Sequence, residues 1–121
     1  MNRKLNPLCQ NHMFVKAYKK GKSAVNKYTA VYALKNYKKN PDGSQIKTTL
    51  GIAINAKLGK AVKRSRAKRI IREAYSFYLP QIKDGFIVVI AARGACFDSK
   101  VKSTQVKNQL LSSLEQLQLL K

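Results

Sequence analysis

Hydrophobic positions along this chain change period several times, and each change marks an element. From Ala67 the apolar residues Ile70, Ile71, Ala74 and Tyr78 recur at steps of three and four, which predicts a helix with one buried stripe. Ala61, Ser65, Lys68 and Arg72 fall on the opposite stripe, and the helix is expected to run until Pro80. Val106, Leu110, Leu114 and Leu117 repeat the same spacing near the C-terminus and predict a second amphipathic helix, with Thr104 as its candidate cap. Tyr28 to Tyr37 instead alternates and is rich in aromatic and aliphatic residues, as a strand is, and Thr48 to Ala56 reads as the next strand.

FIVVIAA, from Phe86 to Ala92, has no alternation and predicts a strand buried on both faces. A further strand lies between Val25 and Tyr28 or is absorbed into its successor. Asn11 can cap a short helix to about Lys20, closed by Gly21. NPDGS at Asn40 to Ser44 and the stretch Lys83 to Gly85 carry turn chemistry. The order α-β-β-β-α-β-α is that of an α+β fold with roughly four strands, which 121 residues can close around one modest core. A single domain over residues 1–121 is therefore expected.

Charge turns this scaffold into a statement about partners. Twenty-five Lys and Arg against five Asp and Glu leave a formal net charge of +20, which repels itself unless a polyanion neutralises it. The bases are spread through the folded elements, and they peak in Lys57 to Tyr75, KLGKAVKRSRAKRIIREAY, where eight of nineteen residues are basic and Glu73 is the one acid. A solubilising helix intersperses acids with bases; this polar face suits polyanion contact. Nucleic acid is the natural partner.

Catalytic chemistry is hard to assemble from the same sequence. Asp42, Glu73, Asp84, Asp98 and Glu115 are scattered, so no acidic cluster for a metal-dependent phosphodiesterase is visible. His12 is the single histidine and lacks an evident partner as a general base. Cys9 and Cys96 stand apart without a CxxC or a His pair, which points to reduced, incidental thiols and to no metal site. No apolar run reaches about 18 residues and MNRKLNPLCQ lacks a signal-peptide core, so neither a membrane partner nor secretion is expected, and the location read from the chain is cytoplasmic. A DNA-architectural role would need minor-groove wedges or a dimer interface that the sequence does not offer.

The block GIAINAKLGKAVKRSRAKRIIREAY, Gly51 to Tyr75, resembles the signature of the bacterial ribonuclease P protein component, with Ser65 where that family's Arg-Asn-Arg carries Asn. Phe14, Val15, Tyr18, Lys19, Lys20, Gly21, Lys22 and Ser23 are similar to the family's Phe-x-x-x-Phe-Lys-x-Gly-x-Ser, and Ile87 to Arg93 resembles its Val-Val-Ile-Ala-Arg, with Ala92 as an extra residue. The resemblance implies a fold similar to the second domain of a small-subunit ribosomal protein, with a left-handed crossover through the basic helix.

It also implies a division of labour, in which a large RNA subunit uses Mg2+ to remove the 5′ leader of precursor tRNA while the protein binds and holds no cofactor itself. On this resemblance Lys57, Lys60, Lys63, Arg64, Ser65, Arg66, Lys68, Arg69 and Arg72 would face the RNA subunit, and Phe14, Tyr18, Tyr32 and Arg93 would form a cleft for the single-stranded leader. Aromatic rings accept stacked bases with little regard to sequence. The bland alternatives are that these rings are core packing and that individual bases are merely solvated. A ribosomal or other structural RNA-binding protein is the competing class.

Overall fold

The computed structural model describes residues 19–36, 39–54, 60–97 and 100–121. Four strands form one mixed sheet: β1 (Lys22–Val25), β2 (Thr29–Lys35), β3 (Thr49–Ala53) and β4 (Phe86–Ala92), in the spatial order β1-β2-β4-β3. β4 pairs antiparallel with β2, Tyr32 opposite Val89, and parallel with β3, Gly51 opposite the same Val89. Parallel neighbours require a crossover, and helix α1 (Ala61–Tyr78) lies between β3 and β4 in the chain. Helix α2 (Ser103–Gln116) follows.

Both helices bury their stripes on one face of the sheet. Ala67, Ile70, Ile71, Ala74 and Tyr78 of α1 and Val106, Leu110 and Leu114 of α2 are buried with Val31 and Ala33, Leu50, and Val88 and Ile90. Alternation along β2 and β4 sends Tyr32, Ile87 and Val89 to the other face, and Ile87 and Val89 are buried there as well. The central strand is thus covered on both sides, as its unbroken apolar run requires.

Expected boundaries moved where side chains bond the backbone. The possible strand at Val25 to Tyr28 is instead β1, ending at Val25. Asn26 stops it, because its Oδ1 accepts the N–H groups of Tyr28 (2.9 Å) and Thr29 (2.8 Å) and folds the chain into a tight turn. Tyr28 leaves strand β2 as a result and is buried in the core, so it does not share a strand face with Tyr32. Thr104 is not the cap of α2: Lys102 is the N-cap residue, and its N–H donates to Gln105 Oε1 at 2.9 Å, half of a capping box. α1 ends at Tyr78, and Pro80 sits in the short 3-10 turn Leu79–Gln81.

The turns formed where the sequence placed them. Asn40 accepts from Gly43 N–H at 2.9 Å, and Gly43 sits at φ 86°, in the left-handed region that glycine enters without a Cβ clash. The N-terminal helix expected from Asn11 to Lys20 lies outside the described residues except for Lys19 and Lys20, both helical.

Candidate RNA-binding surface

Helix α1 divides its residues by face. With the stripe from Ala67 to Tyr78 buried, Lys60, Lys63, Ser65, Lys68, Arg69 and Arg72 are exposed, and Arg64 and Arg66 are half-buried. The first turn has no acidic residue and no side-chain cap, so the positive end of the helix dipole adds to the lysines and arginines instead of being offset by them. Phosphate is the ligand such an end favours. Ala61, Val62, Ser65, Arg66 and Arg69 line an open depression of about 550 Å3 along this helix. Val62 is 81% exposed there, an apolar shelf flanked by cations and against which a ribose or base can rest.

Two of the assigned arginines have structural partners. Arg66 donates through Nη2 to the carbonyl of Val101, in the segment leading into α2. It also lies near Cys96, whose thiol is pushed up by burial and partly held down by the Arg66 charge, so the net shift favours the protonated thiol. Arg93 is exposed, and its Nη1 donates to the Asn26 carbonyl at 2.7 Å while its N–H bonds the Tyr28 carbonyl at 2.9 Å. The resemblance assigns both cations to RNA; in the structure each also bonds a backbone carbonyl.

Asn26 is the residue that sequence reasoning missed. Besides its turn bonds it donates through Nδ2 to Thr29 Oγ1 (2.8 Å) and to Ser113 Oγ (2.9 Å) on α2. It therefore ties the turn that Arg93 bonds to helix α2. An Asn at a strand end signals the turn, but its bond to Ser113, 87 positions away, leaves no local trace.

Tyr32 is half-buried on the sheet face opposite both helices, with Ser23 and Val89 as its cross-strand neighbours and Ala30 and Leu34 beside it on the same face. Phe14, Tyr18 and Lys57 lie outside the described residues. Among the described residues, no group of three His, Cys, Asp or Glu side chains is placed to hold a metal ion, and no helix is long and apolar enough to cross a membrane.

A basic helix on this sheet, with an aromatic strand face beside it, is compatible with several RNA-binding folds; what decides among them is the match of the ribonuclease P family model to residues 2–118. The chain belongs to the ribonuclease P protein family. It is 33% identical to the ribonuclease P protein component of Alkaliphilus oremlandii over 117 residues, 96% of this chain and 94% of that one. Against the component from Clostridioides difficile identity rises to 41% over 90 residues, 74% of this chain and 73% of the relative. The structure of the Staphylococcus aureus RNase P protein superposes with a TM-score of 0.78 at 29% identity, covering 98% of this chain and all of that one. The mixed four-stranded sheet with its two helices is therefore the fold of the ribonuclease P protein, and the ribosomal alternative is not favoured.

Proposed function

We propose that this chain is the protein subunit of ribonuclease P in tRNA 5′ maturation, and that it binds while the RNA subunit cleaves. Family membership supports the first half. The second half rests on one observation, the uncompensated basic face of α1 over a buried stripe. Lys60, Lys63, Arg64, Lys68, Arg69 and Arg72 neutralise phosphates of the RNA subunit, each contact releasing counterions. Ser65, on the same face, contributes a hydroxyl that donates and accepts.

The leader of precursor tRNA takes the sheet face of Tyr32, where a ring accepts a stacked base of any identity. Arg93, already anchored to Asn26, holds the turn at the end of that face and keeps further guanidinium donors for a phosphate. Mg2+ belongs to the RNA-catalysed step, and the protein needs no cofactor of its own. Protein stripped of RNA should leave precursor tRNA intact, whereas adding it to the RNA subunit should lower the magnesium required and tighten precursor binding. Cleavage by RNA-free protein at the holoenzyme rate would overturn the reading.

A further inference from the structure

Glu73 is the one acid within the basic stretch of α1, and phosphate contact by that helix leaves it without a use. It is exposed, with Arg69 one turn before it and Phe77 one turn after it. Residues four apart on a helix have Cβ atoms about 5–6 Å from each other, so the three side chains stand in one row. Val62 and Arg66 extend the row towards the start of the helix at steps of four and three. The row lies on the side of α1 that meets α2 and the segment before it, because Arg66 bonds the Val101 carbonyl and Phe77 meets Lys107.

A lone exposed apolar side chain is ordinary, but the surroundings of Phe77 are not. Its ring is 59% exposed, and it is the one fully exposed aromatic among the described residues. Lys107 of α2 places its ammonium over the ring, with Nζ 4.1 Å from the centroid. Tyr78 meets the ring at 86°, with centroids 5.1 Å apart, and the Tyr78 hydroxyl donates to the Lys107 carbonyl at 3.0 Å. Both helices therefore hold the ring in place while more than half of it stays open. A ring fixed in advance loses little freedom when a ligand arrives.

Unpaired RNA bases are recognised by stacking on aromatic rings and by hydrogen bonds to their exposed edges. Phe77 offers the ring, and Glu73, one turn away, offers oxygens that accept hydrogen bonds. A carboxylate among cations weakens contact with phosphates; beside an exposed ring it suits the part of RNA that carries N–H donors. We infer that Glu73, Phe77 and Lys107 form a base-reading site for one unpaired nucleotide of the RNA subunit, in which the base stacks on Phe77, its exocyclic amine donates to Glu73, and Lys107 and Arg69 meet the adjoining phosphates. Adenine, cytosine and guanine carry such an amine, and uracil does not. Two copies of a +20 chain repel each other, so a second copy of this chain is the poorer occupant. The RNA subunit is the source because the row continues the basic face of α1 and lies on the helix side of the sheet, opposite Tyr32. The assignment rests on the proposed reading of α1.

The test measures the affinity of the full chain for the ribonuclease P RNA subunit across a salt series, with the thermal midpoint of each variant. Phe77→Ala should weaken binding roughly 5- to 150-fold, the loss of one stacked base, and leave the slope of log affinity against log salt unchanged, since stacking releases no counterions. Phe77→Trp should keep the affinity, whereas Phe77→Leu, apolar but not flat, should lose it as Ala does. Glu73→Ala tests the sign: relief of simple repulsion tightens binding, whereas loss of a base contact weakens it roughly 2- to 10-fold, about one hydrogen bond. Tighter or unchanged binding by Glu73→Ala, full affinity in Phe77→Leu, a loss that tracks a lowered thermal midpoint, or a loss that falls on precursor tRNA instead of the RNA subunit would overturn the inference. Lys68→Ala with Arg72→Ala serves as the control. If it flattens the salt slope while the Phe77 and Glu73 variants are silent, the base-reading site fails and the proposed function stands; if it leaves the slope unchanged, the proposed reading of α1 fails whatever the Phe77 variants do.

Discussion

Arg66 and Lys68 are two positions apart on the same basic helix and do different work. Lys68 sits with Arg69 and Arg72 on the exposed face, whereas Arg66 turns inward to bond the Val101 carbonyl across the gap to α2. Arg93 repeats the inward choice at the β1–β2 turn through the Asn26 carbonyl. A charged hydrogen bond to the backbone contributes to the fold, while an exposed, uncompensated cation contributes repulsion until a phosphate arrives. One charge pattern in sequence thus contains cations bonded to the backbone and cations exposed on the helix face.

The largest effect that would sharpen this contrast is on stability. Arg66→Ala should lower folding free energy by about 1.5–3 kcal/mol, the range for a hydrogen bond from a charged group. Lys68→Ala should leave it unchanged or raise it slightly. Denaturant melts of the two variants measure both, and equal stabilities would erase the distinction. Tyr32→Ala should weaken precursor with a leader by about 1–3 kcal/mol, one stacked base, with mature tRNA unaffected. Equal losses for precursor and mature tRNA, in a variant whose thermal midpoint is kept, would return Tyr32 to the sheet as packing.

How much of this was legible follows from where each signal is stored. The strand from Phe86 to Ala92 matched in its bounds, and every residue of the expected α1 stripe is buried, because burial on two faces or one leaves a local period. Tyr75 is buried beside them, an addition the pattern did not include. β1 was misplaced because it is an edge strand with the pattern exposed, exposed, buried, exposed, and Lys22 and Ser23 carry no apolar alternation. Its true end was set by one carboxamide. The partners of Arg66 and Arg93 and the Lys107 contact of Phe77 depend on distant segments, which no window of sequence contains. The family resemblance supplied the rest of the site, although its aromatic members Phe14 and Tyr18 lie outside the described residues.

A smaller effect tests whether the buried stripe is purely a scaffold. The Tyr75 hydroxyl is buried with no hydrogen-bond partner among the described residues, and burial pushes its pKa up. Because the folded state favours the neutral phenol, that group lowers stability as pH rises above 10, where an exposed tyrosine ionises, and has no titration effect below it. Tyr75→Phe should be neutral or stabilise by up to about 1 kcal/mol at pH 7, since it removes an unpaired buried hydroxyl. It should also lose less stability than the parent between neutral and strongly alkaline pH. Thermal melts across that range would show a net loss at neutral pH if the hydroxyl had a needed partner.

The most direct test of the central claim is a salt titration of protein binding to the ribonuclease P RNA subunit, comparing the parent with Lys68→Ala/Arg72→Ala. If the exposed face of α1 neutralises phosphates, the slope of log affinity against log salt flattens by about 1.4 to 1.8 units for two lost contacts, with the melting midpoint unchanged. A parallel slope with the fold intact would mean that these cations are solvated only, and that the RNA is held elsewhere on the protein.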